Sequence, residues 1–186
     1  MGLLAIIRKQ KMKDQEVRVL LLGLDSAGKT TIINNLMGKD PMKVSPTMGF
    51  QINTLPWKGY SLNIWDIGGQ SSLRSFWGNY FDRLDVVVWV VDAVSTLKLE
   101  ELYLELREKV IKQDQLQGTC FVVLVNKIDL VSENDRDAVA SEIKKALLLE
   151  HELSATRYTI RAVLGYTGEG LPGAMDWIVE NCGNLL

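Results

Sequence analysis

The chain has 186 residues, of which 47% are hydrophobic and 24% are charged, with a formal net charge of −2. These values predict one soluble globular domain, exclude a disordered chain, and give no electrostatic reason to expect nucleic-acid binding. Two cysteines are too few for a disulfide framework, and the N-terminal apolar stretch is too short and too mixed with lysine for a signal peptide. No apolar run reaches the roughly 18 residues that span a bilayer, so the sequence predicts a cytoplasmic protein.

The N-terminal segment is predicted to differ from the rest of the chain. We expect residues 1–15 to form an amphipathic helix and linker, and residues 16–186 to form the folded domain. The apolar positions that can share one face of the helix are Leu3, Leu4 and Ile7. Such a helix could lie on a membrane surface, in the groove of a partner protein, or against its own domain.

The first residues also raise N-terminal myristoylation, because Gly2 follows Met1. The usual pattern has Ser or Thr at the sixth position, where this chain has Ile6. The sequence therefore argues against the modification. Since a single acyl chain anchors only marginally, weak or no membrane binding is predicted in either case.

A phosphate-binding loop is predicted from Gly23 to Thr30, where GLDSAGKT fits G-x-x-x-x-G-K-[ST] without a mismatch. An apolar run at 17–22 precedes it as a predicted buried strand, and residues 31–37 can open a helix. Inward-pointing N–H groups and the start of the helix suit phosphate, Lys29 would reach the β- and γ-phosphates, and the Thr30 hydroxyl would ligate Mg²⁺. A glycine-bearing turn before an ordinary helix is the alternative. The predicted nucleotide-binding residues here are Gly23, Asp25, Ser26, Ala27, Gly28, Lys29, Thr30 and Thr31.

Strand and helix patterns alternate through the rest of the chain. Predicted strands at 49–56 and 60–65 are joined by a turn at Lys58-Gly59 into an antiparallel hairpin. The other predicted elements are strands at 86–91, 121–125 and 158–164 and helices at 97–112, 136–150 and 171–181. This alternation predicts an α/β fold, with a mostly parallel six-stranded sheet, one antiparallel edge hairpin and helices on both faces. Ligands of such sheets bind beyond the carboxyl ends of the strands.

Two further strand ends carry polar residues, DIGGQ at 66–70 and NKID at 126–129. The Asp129 carboxylate can accept two hydrogen bonds from guanine N1–H and the 2-amino group, whereas adenine lacks that amine. Asn126 would bond the base and brace the phosphate loop, while the stem of Lys127 would lie along the base plane. The alternative for this tetrapeptide is a solvated turn.

The three motifs, in this order and covering nearly the whole chain, resemble those of the small GTPases. Within that superfamily the chain is similar to the ADP-ribosylation-factor branch of Arf and Arf-like proteins, through SPTMGF at 45–50 and NIWDIGGQ at 63–70. LRSFWGNYF at 73–81 and TGEGLPGAMDW at 167–177, with the initial MGLL, are most similar to the Arf-like two (Arl-two) members. That branch is associated with tubulin-folding cofactors.

The resemblance implies a single-domain phosphate-loop GTPase that binds GTP or GDP with Mg²⁺. Thr47 matches the switch threonine that closes over Mg²⁺ and the γ-phosphate, and Asp66 matches the acid that holds Mg²⁺ through water. Gly69 matches the glycine whose N–H meets the γ-phosphate, and Gln70 matches the residue that orients the attacking water. The predicted catalytic residues are thus Gln70, Lys29 and Thr47, and the predicted metal-binding residues are Thr30, Thr47 and Asp66.

Aromatic residues of this chain match a triad that effectors of the family contact, namely Phe50, Trp65 and Tyr80. Ordinary core packing is the alternative for these three. The chain departs from the family at Leu164-Gly165-Tyr166, where Arf-like proteins usually have Ser-Ala or Cys-Ala before the last loop. The Gly165 N–H could still meet the guanine oxygen. The missing hydroxyl or thiol at Leu164 could loosen the loop and change nucleotide affinity or exchange, but not base identity.

The resemblance also implies how a signal would travel. In the Arf branch the two strands of the hairpin slide by two residues between the GDP and GTP states, which keeps inward side chains inward because the side-chain period is two. In that family the slide releases the N-terminal helix, so residues 2–13 are predicted to be a docking element controlled by the nucleotide.

The leading interpretation is a slow GTPase switch that regulates tubulin folding and microtubule biogenesis. Its expected location is the cytoplasm, with microtubules as a further location. Its expected partners are a GTPase-activating protein, nucleotide-dependent effectors, and a tubulin-folding cofactor or tubulin. The alternatives are a regulator of membrane trafficking or of lipidated-cargo release, a GTP-binding interaction module with negligible hydrolysis, and an ATP-using kinase, against which Asp129 argues.

Overall fold

The computed structural model of the protein describes residues 15–95, 99–147 and 149–182. The predicted N-terminal amphipathic helix, and with it the proposed docking element at 2–13, lies outside the described residues. Among the helices that are described, none is long and apolar enough to cross a membrane.

A six-stranded sheet forms the centre of the domain. Its strands are β1 (Glu16–Leu22), β2 (Phe50–Trp57), β3 (Tyr60–Ile67), β4 (Val86–Asp92), β5 (Cys120–Asn126) and β6 (Tyr158–Ala162). Their order across the sheet is β2-β3-β1-β4-β5-β6, with β2 and β3 antiparallel and every other pair parallel. The predicted mostly parallel sheet with one antiparallel edge hairpin is confirmed.

Helices connect the strands. They are α1 (Lys29–Leu36), a 3₁₀ helix (Ser71–Tyr80), α2 (Leu99–Leu106), a π-helical turn (Arg107–Ile111), α3 (Arg136–Ala146), α4 (Leu149–Glu152) and α5 (Leu171–Asn181). Short 3₁₀ turns lie at Asp114–Leu116, Ile128–Leu130 and Glu133–Asp135.

The central strands are apolar throughout because both faces of the sheet are covered. Side chains along β4 alternate between two cores, with Val88 and Val90 on one face and Trp89 and Val91 on the other. The first core includes residues from α1 and α5, and the second includes residues from the 3₁₀ helix at Ser71–Tyr80, α2 and α3. This arrangement confirms helices on both faces of the sheet and fixes the carboxyl ends of β1, β3 and β5 along one edge.

Several predicted boundaries were wrong. β3 continues to Ile67, so Asp66 lies within the strand, paired with Leu21 on one side and Gln51 on the other, and not after it. Asn126 is likewise the last residue of β5. The apolar pattern could not show this, because a polar residue at a strand end can still form backbone hydrogen bonds with the neighbouring strands.

The predicted helices at 97–112 and 136–150 were also too simple. The first has a π-helical turn after Leu106, and the second ends at Ala146 before the short α4 begins. The predicted last strand, 158–164, ends at Ala162. No element was predicted for 71–80, where the structure has a 3₁₀ helix, although Leu73, Phe76, Trp77 and Tyr80 have the spacing of one helical face.

The hairpin turn contacts the C-terminal helix. Lys58 and Gly59 have φ values of 46° and 83°, the left-handed pair that a two-residue hairpin turn requires. The Trp57 Nε1 donates to Asp176 Oδ1 at 2.8 Å, and the Lys58 Nζ lies 2.8 Å from the same oxygen. Lys58 thereby holds the pKa of the Asp176 carboxyl below its ordinary value.

Candidate nucleotide site

A cleft of about 430 Å³ opens at the carboxyl ends of β1 and β3. The residues that line it come from the phosphate loop, the start of α1, the segment before β2, the loop after β3 and the residue that follows β5. They are Asp25, Ser26, Gly28, Lys29, Thr30, Thr31, Val44, Ser45, Pro46, Thr47, Gly68, Gly69, Gln70 and Lys127. The structure therefore brings the predicted catalytic residues together in one cleft.

Glycine is required at two points of the phosphate loop because the Val90 backbone and the Asn126 side chain approach the loop closely. A Cβ on Gly23 (φ 148°) would lie 2.4 Å from the Val90 carbonyl oxygen. A Cβ on Gly28 (φ 95°) would lie 2.3 Å from Asn126 Nδ2. Both positions combine a left-handed φ with a contact closer than side chains tolerate, so substitution here displaces the loop.

Lys29 lies at the start of α1 with only 7% of its surface exposed. Its Nζ donates to the carbonyl oxygens of Gly23 and Leu24, each at 2.9 Å. Burial lowers the pKa of Lys29 from 10.5 to about 8, against the opposing charges of Asp66 and Asp25. The ammonium group donates to neutral carbonyls, so an anionic ligand beside it would favour its charged form.

Three oxygen-bearing side chains meet beside Lys29. The Thr30 Oγ1 donates to Asp66 Oδ2 at 2.8 Å and lies 2.9 Å from Thr47 Oγ1, which is 3.4 Å from the same carboxylate oxygen. Asp66 is fully buried, and its Oδ1 has no hydrogen-bond partner among the described residues. Burial raises the pKa of Asp66, while the Thr30 hydrogen bond and Lys29 oppose that rise.

This oxygen cluster fits Mg²⁺. Hard oxygen ligands suit the ion, Mg²⁺ is usually held by one or two carboxylates with water and phosphate completing its shell, and the buried Oδ1 of Asp66 lacks a partner. A cation beside Asp66 would also oppose the rise in its pKa by favouring the charged form. No cluster of three or more His, Cys, Asp or Glu residues that could hold a metal occurs in the described part of the chain, and this candidate site combines the Asp66 carboxylate with the hydroxyls of Thr30 and Thr47.

The loop after β3 lies against the phosphate loop. A Cβ on Gly69 would meet the Gly23 carbonyl oxygen at 2.4 Å and Lys29 Nζ at 2.5 Å. The Gly68 N–H donates to the Gly49 carbonyl oxygen at 2.9 Å, which connects this loop to the segment that follows Thr47. The backbone at Gly69 is thus within contact distance of the lysine predicted to bind the γ-phosphate.

The predicted base-binding residues lie at the ends of β5 and β6. The Asn126 Nδ2 donates to the Ala27 carbonyl oxygen at 2.9 Å, and its Oδ1 accepts from the Gly165 N–H at 2.8 Å. The sequence predicted the first contact but not the second. Asn126 therefore joins the phosphate loop to the loop that follows β6.

The other two base-binding residues sit differently. The Lys127 backbone has a φ of 64°, and its Nζ lies 2.7 Å from Asp92 Oδ2 at the end of β4. Asp129 is exposed in a short 3₁₀ turn, and it does not line the cleft of about 430 Å³, which Lys127 does. The structure thus brings the phosphate-binding residues into one cleft and places Asp129 beyond it.

The three aromatic residues form one exposed cluster, which we call the aromatic cluster (Phe50, Trp65 and Tyr80). The Phe50 ring stacks on Trp65 with centroids 5.8 Å apart, and Tyr80 lies 5.4 Å from Phe50 and 5.9 Å from Trp65. Phe50 is 47% exposed, while Trp65 and Tyr80 also pack partly against the core. Core packing alone does not account for Phe50.

Sequence reasoning missed Arg74, which is 5% exposed. Its Nε donates to the Gly69 carbonyl oxygen at 3.0 Å, and its Nη1 donates to Glu101 at 2.7 Å. Its guanidinium also lies 3.4 Å from Glu105 and 3.6 Å from Asp25. The available signal was the three-residue spacing between Arg74 and Trp77. One such pair is too short a pattern to show that Arg74 is buried.

The chain matches known proteins over nearly its whole length. The model of the ADP-ribosylation factor family matches residues 3–182. The chain is 43% identical over 181 residues to ADP-ribosylation factor-like protein 2 from Arabidopsis thaliana, covering 97% of this chain and 95% of that protein. It is 44% identical over 181 residues to ADP-ribosylation factor-like protein alp41 from Schizosaccharomyces pombe, covering 97% of this chain and 94% of that protein.

A solved structure is also similar. The Arl6 BBS3 small GTPase from Trypanosoma brucei, solved with the bound nucleotide analogue GppNp, matches with a TM-score of 0.80 at 26% identity. The match covers 92% of this chain and 99% of that one.

Proposed function

The chain belongs to the ADP-ribosylation factor family, and from that premise we propose a role for each part of its nucleotide site. It is a GTPase and a GTP-binding switch of the Arf-like kind, as the resemblance to Arl-two proteins predicted. The observation that carries the proposal is the meeting of Lys29, the oxygens of Thr30, Thr47 and Asp66, and the Gly69 backbone at one cleft.

The phosphate end of the site supplies charge and orientation, with little covalent chemistry for the protein. The Lys29 ammonium group binds the β- and γ-phosphates, and Thr30, Thr47 and Asp66 hold Mg²⁺. When bound, that ion supplies neutralisation of charge on the phosphate oxygens. The Gly69 N–H contacts the γ-phosphate, and the Gln70 side chain orients water for in-line attack, which gives GDP and phosphate.

The base end of the site reads guanine. Asp129 accepts from N1–H and the 2-amino group of a base that extends beyond the cleft, as its exposure allows. Asn126 holds the phosphate loop and the loop after β6 in register, and Gly165 brings its backbone close to the base. A Cβ at Gly165 would lie 2.7 Å from Ile32 Cγ1, which supports a tight loop at this position despite the missing hydroxyl or thiol at Leu164.

Hydrolysis by the chain alone is slow in this proposal. Among the described residues that line the cleft, none is arginine, and the nearby Arg74 is held by carboxylates and the Gly69 carbonyl. An arginine supplied by an activating protein typically raises the rate by about 10³ to 10⁵. The activating protein therefore sets the lifetime of the GTP state.

The aromatic cluster is the proposed effector surface. Aromatic side chains supply much of the energy of protein interfaces, and Phe50 and nearby Ile52 are about half exposed. Kinship with Arl-two proteins supports a tubulin-folding cofactor or tubulin as the partner, and a role in microtubule biogenesis. The proposed location is the cytoplasm and its microtubules, with weak or no membrane binding.

The test is affinity capture from cytosol, with the chain loaded with GDP or with a non-hydrolysable GTP analogue. We expect a tubulin-folding cofactor or tubulin in one nucleotide state only. Phe50→Ala should reduce that capture, whereas Leu104→Ala, at a similarly exposed apolar residue of α2, should not.

The result can also contradict the pathway without affecting the chemistry. Capture of coat, tether or lipid-carrier proteins would replace tubulin folding by trafficking or lipidated-cargo release. Capture of the same partners with GDP and with the GTP analogue would contradict the proposed switch. A GTP hydrolysis assay with and without cytosolic extract separates a slow enzyme from a binding module, and ATP competition tests the guanine assignment.

A further inference from the structure

Two buried side chains reach back to the loop that carries Gly69 and Gln70. The 3₁₀ helix Ser71–Tyr80 begins directly after that loop, and side chains three residues apart in such a helix lie on the same face. Arg74 and Trp77 have this spacing and are 5% and 0% exposed. The Arg74 Nε donates to the Gly69 carbonyl oxygen at 3.0 Å, and the Trp77 Nε1 donates to the Gly68 carbonyl oxygen at 3.3 Å.

These carbonyls belong to successive peptide planes. The Gly68 carbonyl and the Gly69 N–H share one rigid plane, so the Trp77 bond sets the direction of that N–H. The Gly69 carbonyl and the Gln70 N–H share the next plane, so the Arg74 bond sets where the Gln70 side chain begins. Glycine resists backbone rotation less than any other residue, so the two planes depend on these bonds for a fixed orientation.

Arg74 is itself held from two directions. Glu101 and Glu105 of α2 lie 2.7 Å and 3.4 Å from its Nη1, and Asp25 of the phosphate loop lies 3.6 Å from its Nη2. A buried guanidinium needs paired charges, and these carboxylates supply them. The Gly69 carbonyl is thus connected through one side chain to both α2 and the phosphate loop.

We propose that Arg74 and Trp77 are positioning residues for GTP hydrolysis, which hold the Gly69 N–H toward the γ-phosphate and Gln70 toward the attacking water. The inference rests on the roles proposed above for Gly69 and Gln70. Neither Arg74 nor Trp77 is among the residues that line the cleft, so both act through the loop.

The test compares Arg74→Gln and Trp77→Phe with the unaltered full-length chain. Trp77→Phe removes the indole N–H and keeps an aromatic ring. Each chain is loaded with GTP, and the first-order rate of a single turnover is measured with Mg²⁺. The dissociation constants of GDP and of a non-hydrolysable GTP analogue are measured in parallel.

Loss of one hydrogen bond should slow the single turnover by about fivefold, and loss of the charged Arg74 bond by about tenfold or more. Because the Gly69 N–H meets only the γ-phosphate, affinity for the GTP analogue should fall several-fold while that for GDP stays unchanged. A purely structural role would weaken both nucleotides alike.

The chain offers matched controls. Trp89 is fully buried and packs edge-on against Trp77 with ring centroids 5.6 Å apart, and its indole N–H has no hydrogen-bond partner within the described part of the chain. Trp89→Phe therefore removes the same atoms without removing a bond to the loop. Arg18→Gln removes an arginine paired with Glu16 at 3.3 Å, away from the cleft.

Arg74→Gln removes the buried positive charge that pairs with Glu101, Glu105 and Asp25 and could unfold the chain, so Arg74→Lys is the second variant. Lysine keeps the positive charge but cannot reproduce the branched guanidinium contacts. We expect it to fold, to bind GDP normally and to hydrolyse GTP slowly. The proposal is overturned if Arg74→Lys and Trp77→Phe hydrolyse GTP at the same rate as the unaltered chain and the two control variants. If the unaltered chain neither binds nor hydrolyses GTP, the function proposed for the site fails first.

Discussion

Binding of a nucleotide should draw a proton onto Lys29. Its pKa is lowered from 10.5 to about 8 by burial, whereas an anionic phosphate beside the ammonium group favours the charged form. At pH 8 about half of the Lys29 side chains are neutral before binding, so GDP binding should take up about 0.5 proton, rising to about 0.9 at pH 9. The same linkage makes GDP affinity fall about tenfold between pH 7 and pH 9.

The stability of the nucleotide-free chain should change in the opposite direction. Between pH 8 and pH 10.5 the folded chain binds fewer protons at Lys29 than the unfolded chain does. The free energy of unfolding therefore rises with pH across that window, by up to about 3 kcal/mol from this group. Nucleotide binding removes this contribution because it restores the charged form.

Isothermal titration calorimetry measures the uptake directly, through the dependence of the binding enthalpy on the ionisation enthalpy of the buffer. GDP is titrated without metal, so that the measured proton uptake belongs to nucleotide binding alone. Lys29→Arg is the key variant, because arginine stays protonated and should abolish the uptake. Lys112→Arg, at an exposed residue paired with Glu108 at 2.6 Å, should leave it unchanged. Uptake below about 0.1 proton at pH 8, or equal uptake in Lys29→Arg, would refute the reasoning.

Three further substitutions test other parts of the site. Gly69→Ala places a Cβ 2.4 Å from the Gly23 carbonyl oxygen and 2.5 Å from Lys29 Nζ, so affinities for GDP and for a GTP analogue should both fall by about tenfold or more in a fluorescent-nucleotide titration; unchanged affinities would show that the phosphate loop accommodates the added methyl group. Asp66→Asn should make GDP dissociation insensitive to removal of Mg²⁺ by a chelator, and retained sensitivity would exclude Asp66 from the metal site. Gly165→Ala places a Cβ 2.7 Å from Ile32 Cγ1, so urea unfolding should show a loss of about 1 to 3 kcal/mol, and an unchanged midpoint would show that the loop can yield.

The sequence predicted most of the fold because the local patterns and the tertiary structure agree. The apolar run of β4 is long enough for a strand and too apolar for a half-exposed one, and the structure covers it on both faces. The hairpin turn was recognisable because Lys58-Gly59 supplies the left-handed conformations that such a turn needs. Family membership was recognisable because the phosphate loop, DIGGQ at 66–70 and NKID at 126–129 occur in the family's order, together with SPTMGF at 45–50.

The 3₁₀ helix at Ser71–Tyr80 was missed although its sequence carries a signal. Leu73, Phe76, Trp77 and Tyr80 have helical spacing, whereas Arg74 resembles any other surface arginine in the sequence. Its burial depends on carboxylates that lie 27 and 31 residues later in the chain, on one face of α2. Only tertiary structure shows that this arginine is held in place by charges from other elements.

Asn126 shows the same limit within a motif that was recognised. Its bond to the phosphate loop, at the Ala27 carbonyl, was predicted, whereas the bond that it accepts from the Gly165 N–H was not. Because a Cβ on Gly28 would lie 2.3 Å from Asn126 Nδ2, the phosphate loop approaches this amide closely only where it has glycine. The phosphate loop, the end of β5 and the loop after β6 therefore constrain one another before any base is bound. It follows that a substitution of Asn126 would weaken nucleotide binding even if the side chain never touched the base, so base recognition is better tested at the exposed Asp129.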